Sequence, residues 1–269
     1  MGQKTRSTLK LIGLAMALPI LISVIFAAIV SVRTLNPLTH ARHSMDELEQ
    51  SLGQSTRYVP EPSGMITRPK MEAFLELRSS LVLACREYET SQRAFHAIDS
   101  LDDGSDTDWD DIVDAFKLLG GAAFEITPFL ARYFALRNLA LLESGLGLEE
   151  YAYIYALAYH DQLLSEETRR QVFSNGDALS AEAASVLEAC LRRQLSMINS
   201  DDSFKPAVER ELAEMQSDLT RLLWQDGLPK QIQVCIDPFR SRLDELFCAP
   251  TAGLEMEHGA RRAIWLALE

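Results

Sequence analysis

The stretch EEYAYIYALAYH, residues 149–160, decides between the fold classes that are open to this chain. Large side chains occupy its odd positions from Tyr151 to Tyr159, and small ones, apart from Ile154, occupy the even positions. This alternation imitates the period of two of a β-strand. Alanine, however, is unfavourable in strands and favourable in helices, and the chain offers no convincing strand with which this one could pair. The stretch therefore predicts a helix at 148–164.

This helix would be apolar on most of its circumference. Tyr151, Tyr155 and Tyr159 follow one another at spacings of four and therefore share one helical face. A helix that is apolar on most sides lies inside a protein. We expect a central helix in which Tyr151, Tyr155, Leu157 and Tyr159 are largely buried.

The helical period recurs along the rest of the chain. Apolar residues repeat mainly at spacings of three, four and seven within 74–95 and 208–222. Such seams are typical of helices that pack at shallow angles in bundles. The sequence predicts an all-α fold, in which an N-terminal transmembrane helix is followed by a linker and a multi-helix bundle domain. Further helices are expected at about 107–127, 128–144, 166–173, 179–198 and 229–247.

The amino terminus carries the clearest single signal. Residues 11–32 contain no charged side chain and, at about 1.5 Å of rise per residue, can cross a hydrocarbon core of about 30 Å. The apolar part of a cleaved signal peptide is shorter, about 7–15 residues. Lys4, Arg6 and Lys10 precede the span, which favours a cytoplasmic location for residues 1–10. We predict a single-pass anchor at 11–33 in the inner (plasma) membrane, with residues 11–32 in the lipid bilayer.

The remainder of the chain is expected on the outer side of that membrane. Pro37, Pro60 and Pro62 interrupt residues 34–66, which are predicted to form a linker with room for one short helix. Residues 67–269 are predicted to form an extracytoplasmic helical domain, which in a bacterium is periplasmic. The formal net charge of the chain is −13 at pH 7. Because an acidic surface repels phosphate backbones, no nucleic-acid partner is expected.

The cysteine pattern leaves the redox state open. Cys85, Cys190, Cys235 and Cys248 form no CxxC motif, which removes the common zinc-ribbon and thioredoxin-like interpretations. An exported domain can form disulfides. Four cysteines allow three complete pairings, and the sequence does not choose among them.

One face of the predicted central helix carries the best candidate for a functional site. Glu149, Tyr153 and His160 lie on it, opposite the three tyrosines at spacings of four. A carboxylate, a phenol and an imidazole can relay protons or hold a polar ligand. The alternative is a structural network, since buried polar groups in a bundle satisfy one another. Residues of the preceding helix are natural partners for Glu149 or Glu150: Arg132, Arg137 and Asn138. Of these, Arg137 joins Glu149, Tyr153 and His160 as the fourth candidate binding residue.

Metal-binding patterns in the chain are incomplete. Seven aspartates lie between Asp99 and Asp111, and part of this stretch matches the calcium loop of an EF-hand, but Leu101 occupies a ligand position. A solvated loop whose acids cap the next helix is the alternative. His40 and His43 have a suitable spacing but stand in the predicted linker. The sequence predicts no metal site and no cofactor.

Two functions of different classes follow from these features. The first is a membrane-anchored interaction or accessory module that holds a protein partner beside the membrane, without catalysis. The anchor, the acidic surface and the lack of a common catalytic motif favour it. The alternative is a small-ligand-binding or hydrolytic domain that uses Glu149, Tyr153 and His160. The carboxyl terminus, with Trp265 after two arginines, packs back onto the bundle or docks in a partner groove.

Overall fold

The computed structural model describes residues 36–52, 57–99, 129–165, 168, 181–218 and 221–256. Within these ranges the regular structure is helical and no β-strand is present, which confirms the all-α, multi-helix prediction. None of the helices described there has both the length and the apolar character needed to cross a bilayer. The predicted anchor at 11–33, the helix at 107–127, most of the helix at 166–173 and the aspartate-rich stretch after Asp99 lie outside the described residues.

The helices of these ranges are numbered in chain order. The first four are α1 (Asn36–Leu52), α2 (Arg68–Asp99), α3 (129–144) and α4 (Leu148–Ala158). The next four are α5 (His160–Leu164), α6 (Ala181–Met197), α7 (Lys205–Ser217) and α8 (Lys230–Ile236). The last two are α9 (Arg240–Leu246) and α10 (Ala252–Glu255).

Helix α4 lies at the centre of this bundle. The predicted burial of Tyr151, Tyr155, Leu157 and Tyr159 is confirmed, because none of these side chains reaches solvent. The ring centroid of Phe74 in α2 lies 5.5 Å from that of Tyr151 and 5.9 Å from that of Tyr159. Helix α4 also packs against α6. The tyrosine stretch therefore forms the aromatic core between α2 and α6.

Tyr159 divides the helix predicted at 148–164 into α4 and α5. Its backbone angles, φ −107° and ψ 20°, leave the α-helical region. The hydrogen bonds on either side continue, because Tyr159 donates to the Tyr155 carbonyl at 3.0 Å and Leu163 donates to the Tyr159 carbonyl at 2.8 Å. The predicted helix is therefore preserved apart from a local distortion at this residue.

The segment 34–66 holds more regular structure than its prolines indicate. Helix α1 begins at Asn36, and Pro37 stands in its first turn, where a missing N–H group loses no helical hydrogen bond. Ala41 and Leu48 are buried against the bundle. The Asn138 side chain of α3 donates to the Ser44 hydroxyl at 3.3 Å. The helix is longer than the short one predicted, and it packs on α3.

The residues just before α2 also pack on the bundle. Gly64 has a φ of +72°, and a Cβ atom there would lie 3.0 Å from the Phe204 ring. Ile66 is buried, and the Gln194 side chain of α6 donates to the Glu61 carbonyl at 2.8 Å. This segment is therefore held in place by α6 and by the residue that precedes α7.

Pro238 divides the helix predicted at 229–247. A proline within a helix has no N–H group to donate and clashes with the carbonyl four residues earlier. The chain passes instead through a 3₁₀ turn, Asp237–Phe239, between α8 and α9. Phe239 is buried, so the turn adds an aromatic ring to the core.

A disulfide bond joins Cys85 of α2 to Cys248. It closes a sequence separation of 163 residues and holds the segment before α10 against α2. Cys190 and Cys235 are free thiols. The structure thus selects one bridge and leaves the other two cysteines unpaired.

Candidate functional site

Glu149, at the start of α4, connects two other segments of the chain. Its Oε2 atom accepts hydrogen bonds from Arg193 Nη2 of α6 at 2.7 Å and from the backbone N–H of Tyr58 at 2.9 Å. The adjacent Glu150 pairs with Lys70 of α2. The carboxylates are therefore fixed by cations from α6 and α2.

The partners predicted for these two acids bind elsewhere, and that prediction was wrong. Arg132 pairs with Glu87 of α2, and Asn138 bonds to α1. Arg137 is fully buried and donates from Nη1 to the carbonyls of Leu254 and Glu255, at 2.9 and 3.4 Å. Arg137 thus stabilises the backbone of α10.

Tyr153 lies in the interior, with its ring centroid 5.5 Å from that of Tyr58. Its hydroxyl has no hydrogen-bond partner among the described residues. Burial, followed by the nearby Tyr58, raises the pKa of the phenol well above its usual range. The phenol therefore stays neutral at physiological pH and is not available as a base.

His160 stabilises a turn of unusual backbone conformation. Its Nε2 atom lies 2.7 Å from the Trp224 carbonyl, so this nitrogen carries a proton and donates, and its Nδ1 atom lies 3.0 Å from Asp161 Oδ1. Trp224 has a φ of +59°, a left-handed conformation that costs an ordinary side chain about 1–2 kcal/mol. The Glu211 carboxylate accepts from the backbone N–H of Trp224. His160 and Glu211 together compensate for this strain.

The four predicted site residues therefore do not share a pocket. Glu149 bonds to α6, Tyr153 is enclosed, Arg137 bonds to α10, and His160 bonds to the Trp224 turn. A proton relay needs its members within hydrogen-bond reach of one another or of one substrate. The described contacts bring no such relay together.

A buried polar cluster centred on Arg78 and Glu255 lies in the described interior. Glu255 of α10 forms an ion pair with Arg78 of α2 and accepts a hydrogen bond from the Tyr133 hydroxyl. It also accepts from the hydroxyls of Tyr151, at 2.6 Å, and Thr251, at 3.1 Å. Arg78 donates in turn to the Tyr151 hydroxyl at 3.0 Å. Four segments of the chain meet at this one carboxylate.

The electrostatics of the cluster keep Glu255 ionised. Burial alone would raise the pKa of its carboxyl, but the Arg78 charge and the hydrogen bonds from Tyr133 and Tyr151 outweigh burial and lower that pKa. Burial also raises the pKa values of the Tyr133 and Tyr151 phenols, so both remain donors. All of these side chains are enclosed, and the cluster therefore holds α10 in the core rather than binding a solute.

The sequence alone did not reveal this cluster, although one signal was available. Arg78 stands four residues after Phe74, within the apolar seam of α2, where a charge requires a buried partner. Its partner lies 177 residues away in the sequence, in a short segment without a motif.

The described surface includes two open pockets that border the predicted site residues. The first, of about 350 Å³, is lined by Arg57, Ser185, Glu188, Ala189, Arg192 and Arg193. The second, of about 550 Å³, is lined by Asp161, Gln162, Ser165, Thr168, Arg240, Asp244, Phe247 and Ala249. Of the predicted site residues, Glu149 bonds to the wall of the first pocket and His160 to the wall of the second, and neither lines a pocket itself.

The outer face of α2 and α3 exposes large apolar side chains. Leu83 of α2 is 71% exposed, and Leu136 and Leu139 of α3 are 39% and 49% exposed. An ion pair between Glu87 and Arg132 joins the two helices at 3.8 Å. Leu83 precedes Glu87 by one helical turn, and Leu136 follows Arg132 by one turn. We call these three leucines the leucine face.

The chain matches no protein-family model, and neither a curated protein nor a solved structure is significantly similar to it. Within the described ranges, no three histidine, cysteine, aspartate or glutamate side chains are grouped so that they could hold a metal ion. The described residues form an all-α bundle with an enclosed polar cluster and an exposed group of leucines on the outer face of α2 and α3.

Proposed function

We propose that this protein is a membrane-anchored, extracytoplasmic interaction module that binds a protein partner through the leucine face. The observation that carries the proposal is the exposure of Leu83, Leu136 and Leu139 beside the Glu87–Arg132 ion pair. Exposed apolar groups rimmed by charged residues are typical of protein-binding surfaces. The partner contributes an apolar surface, such as one face of a helix.

The direction of the helices supports a continuous leucine face. Tyr88 of α2 contacts Phe129 of α3, with ring centroids 6.3 Å apart, whereas Arg78 lies beside Tyr133 at Glu255. From the first contact to the second, the residue number decreases in α2, from 88 to 78, and increases in α3, from 129 to 133. The two helices are therefore antiparallel. Because the helices are antiparallel, Leu83 of α2 and Leu136 of α3 both lie one turn from the Glu87–Arg132 ion pair and on the same side of it.

The disulfide supports an extracytoplasmic location. Disulfides persist in oxidising compartments and are rare in the cytosol. The bond between Cys85 and Cys248 thus agrees with the membrane anchor predicted at 11–33. Helix α1 begins at Asn36 and packs on α3, so the bundle would stand close to the membrane rather than on a long tether.

The hydrolytic alternative has less support. Glu149, Tyr153 and His160 are bound by different neighbours, and Tyr153 is enclosed. No observation favours a reaction at these residues over the structural roles that their hydrogen bonds describe.

Crosslinking and pull-down from native membranes test the binding proposal. We expect specific partners with the wild-type chain and their loss with Leu83→Ser or Leu136→Ser, because a hydroxyl removes the apolar contact. Val234→Ser is the matched control, since Val234 is an exposed apolar residue of α8, 61% exposed and outside the leucine face. Retention of every partner by both leucine variants would overturn the proposal.

Location is tested separately with reporter fusions at the carboxyl terminus. A reporter that is active only outside the cytoplasm should give signal, and the fusion should remain in the membrane fraction. Activity of a cytoplasmic reporter alone, or release of a soluble mature protein, would overturn the predicted topology.

A further inference from the structure

The first open pocket gathers positive charge on one face of α6. Ser185, Glu188, Ala189 and Arg192 stand at spacings of three, one and three, so they share that face, and Arg193 lies beside Arg192. Arg57, from the segment before α2, completes the wall. We call this the arginine pocket.

Glu149 fixes both sides of the arginine pocket. It accepts from Arg193 Nη2 and from the backbone N–H of Tyr58, the residue that follows Arg57. The Tyr58 ring in turn packs on Tyr153. The backbone that carries Arg57 is therefore held against α4 and α6, and the pocket is formed before any ligand arrives.

The pocket has an excess of positive charge, although the chain as a whole is acidic. Arg192 pairs with Glu188, and Arg193 pairs with Glu149 at 2.7 Å. No carboxylate of the described residues forms an ion pair with Arg57. The three arginines of the wall thus have two carboxylate partners, of which only Glu188 lines the pocket. The net charge of the whole chain is −13.

Guanidinium groups recognise oxyanions with particular geometry. Each presents a planar fork of N–H donors that matches a carboxylate or a phosphate in a bidentate arrangement. The Ser185 hydroxyl adds a further donor to the wall. A volume of about 350 Å³ accommodates a small solute.

We propose that the arginine pocket binds the oxyanion group, a phosphate or a carboxylate, of a small solute, and that Arg57 and Arg192 provide the principal contacts. Arg57 has no competing carboxylate among the described residues, and Arg192 can turn from Glu188 to the ligand because its side chain is exposed. Glu149 is a positioning residue, since it holds Arg193 and the Tyr58 backbone without facing the solute. This site is distinct from the leucine face and does not depend on the proposed protein partner.

Isothermal titration calorimetry of the full-length chain in a neutral detergent tests this proposal. Inorganic phosphate is titrated in one arm and acetate in the other, at low ionic strength. We expect saturable binding to one site, which weakens at higher salt because exposed charges are screened. Tighter binding of phosphate would favour a phosphorylated ligand, and tighter binding of acetate would favour a carboxylate ligand.

Variants distinguish this site from general attraction to anions. Arg57→Ala and Arg192→Ala should each weaken binding about tenfold or more, because each removes a charge-assisted contact. Glu188→Gln should tighten binding, since it removes a carboxylate that competes for Arg192. Arg242→Ala is the matched control, as Arg242 is an exposed arginine that pairs with Glu72 outside the pocket.

Two results would overturn the proposal. One is the absence of saturation by either anion with a chain whose circular dichroism spectrum is helical. The other is equal affinity in the wild type, Arg57→Ala and Arg192→Ala. Leu83→Ser should leave anion binding unchanged, so failure of the proposed protein partner and failure of this site are distinguishable.

Discussion

Two ion pairs of arginine and glutamate lie on different sides of α4, and they differ in their exposure to water. In the closed pair, Arg78 and Glu255, the side chains are 2% and 0% exposed. In the open pair, Arg193 and Glu149, they are 22% and 14% exposed. The closed pair is surrounded by hydroxyl donors, whereas the open pair borders a pocket.

This difference separates a structural role from a binding role. A buried ion pair that loses one member leaves an uncompensated charge in the core, which costs several kcal/mol. A pair near solvent contributes less, because water screens the attraction and can replace a lost partner. The closed pair therefore stabilises the fold, and the open pair can be altered with little loss of stability.

The largest loss of stability is expected when one member of the closed pair is removed. Arg78→Met leaves Glu255 buried without its cation and should lower the free energy of unfolding by about 3–5 kcal/mol, measured by urea denaturation of the full-length chain. The double variant Arg78→Met with Glu255→Met is the control, and it should be more stable than Arg78→Met alone, since neither member of the pair is left buried without the other. A loss below about 1 kcal/mol in Arg78→Met would contradict the structural role.

Loss of the disulfide should have the next largest effect. Cys85→Ser or Cys248→Ser releases a long loop and should destabilise the fold by about 2–4 kcal/mol, measured in the same urea titration. Reductant should destabilise the wild type by a similar amount and leave these variants unchanged. Cys235→Ser is the control at a free thiol. If reductant had no effect on the wild type, the bridge would not contribute to stability.

Two tyrosines of α4 offer a matched comparison within the core. Tyr151→Phe removes a donor to the charged Glu255 and should cost about 1.5–3 kcal/mol. Tyr155→Phe removes a buried hydroxyl without a hydrogen-bond partner among the described residues and should be close to neutral. Thermal unfolding followed by circular dichroism measures both. Equal losses would show that the hydroxyl of Tyr151 has no special role.

The smallest loss of stability is expected for Asp161→Asn, because Asp161 is an exposed acid. The hydrogen bond with His160 and the charge of Arg240 outweigh partial burial and lower the pKa of its carboxyl. A carboxyl whose pKa is lower in the folded state stabilises the fold at any pH above its pKa in the unfolded state, which is about 3.9. This stabilisation is lost as the pH falls through the pKa of the folded state. The wild type should therefore exceed Asp161→Asn in stability at about pH 6.

The urea midpoints of the wild type and Asp161→Asn, measured between about pH 6 and pH 3, test this pH dependence. The advantage of the wild type over Asp161→Asn should shrink on acidification and should also shrink in high salt. An advantage that grows as the pH falls would contradict the assigned direction.

Local pattern was sufficient to predict most of the described helices and the aromatic core. Alanine at the even positions of the tyrosine stretch separated a helix from a strand, and the spacing of four placed Tyr151, Tyr155 and Tyr159 on one buried face. Pro238 also carries a local signal, because a proline cannot continue a helix. This proline explains why the structure has two helices, α8 and α9, in place of the single helix predicted at 229–247.

Tertiary partners could not be predicted in the same way. Glu149 was identified as a polar residue of interest, but its partner Arg193 is brought to it by the packing of α6 on α4. Glu255 lies in a short helix with no motif, and the residue that it meets, Arg78, is 177 positions away in the sequence. Helix periodicity fixes which residues share a face, whereas it does not fix which helix covers that face.

The same substitution at the two carboxylates tests the comparison most directly. Glu255→Gln and Glu149→Gln each remove one charge with little change in shape, and the free energy of unfolding of each is measured by urea denaturation beside the wild type. Glu255→Gln should cost about 3–5 kcal/mol, because Arg78 is left buried without a counter-charge. Glu149→Gln should cost about 1 kcal/mol or less, because Arg193 remains accessible to water and the amide oxygen still accepts a hydrogen bond. Equal costs, or a larger cost at Glu149, would contradict the division between a closed structural pair and an open pair beside a binding pocket.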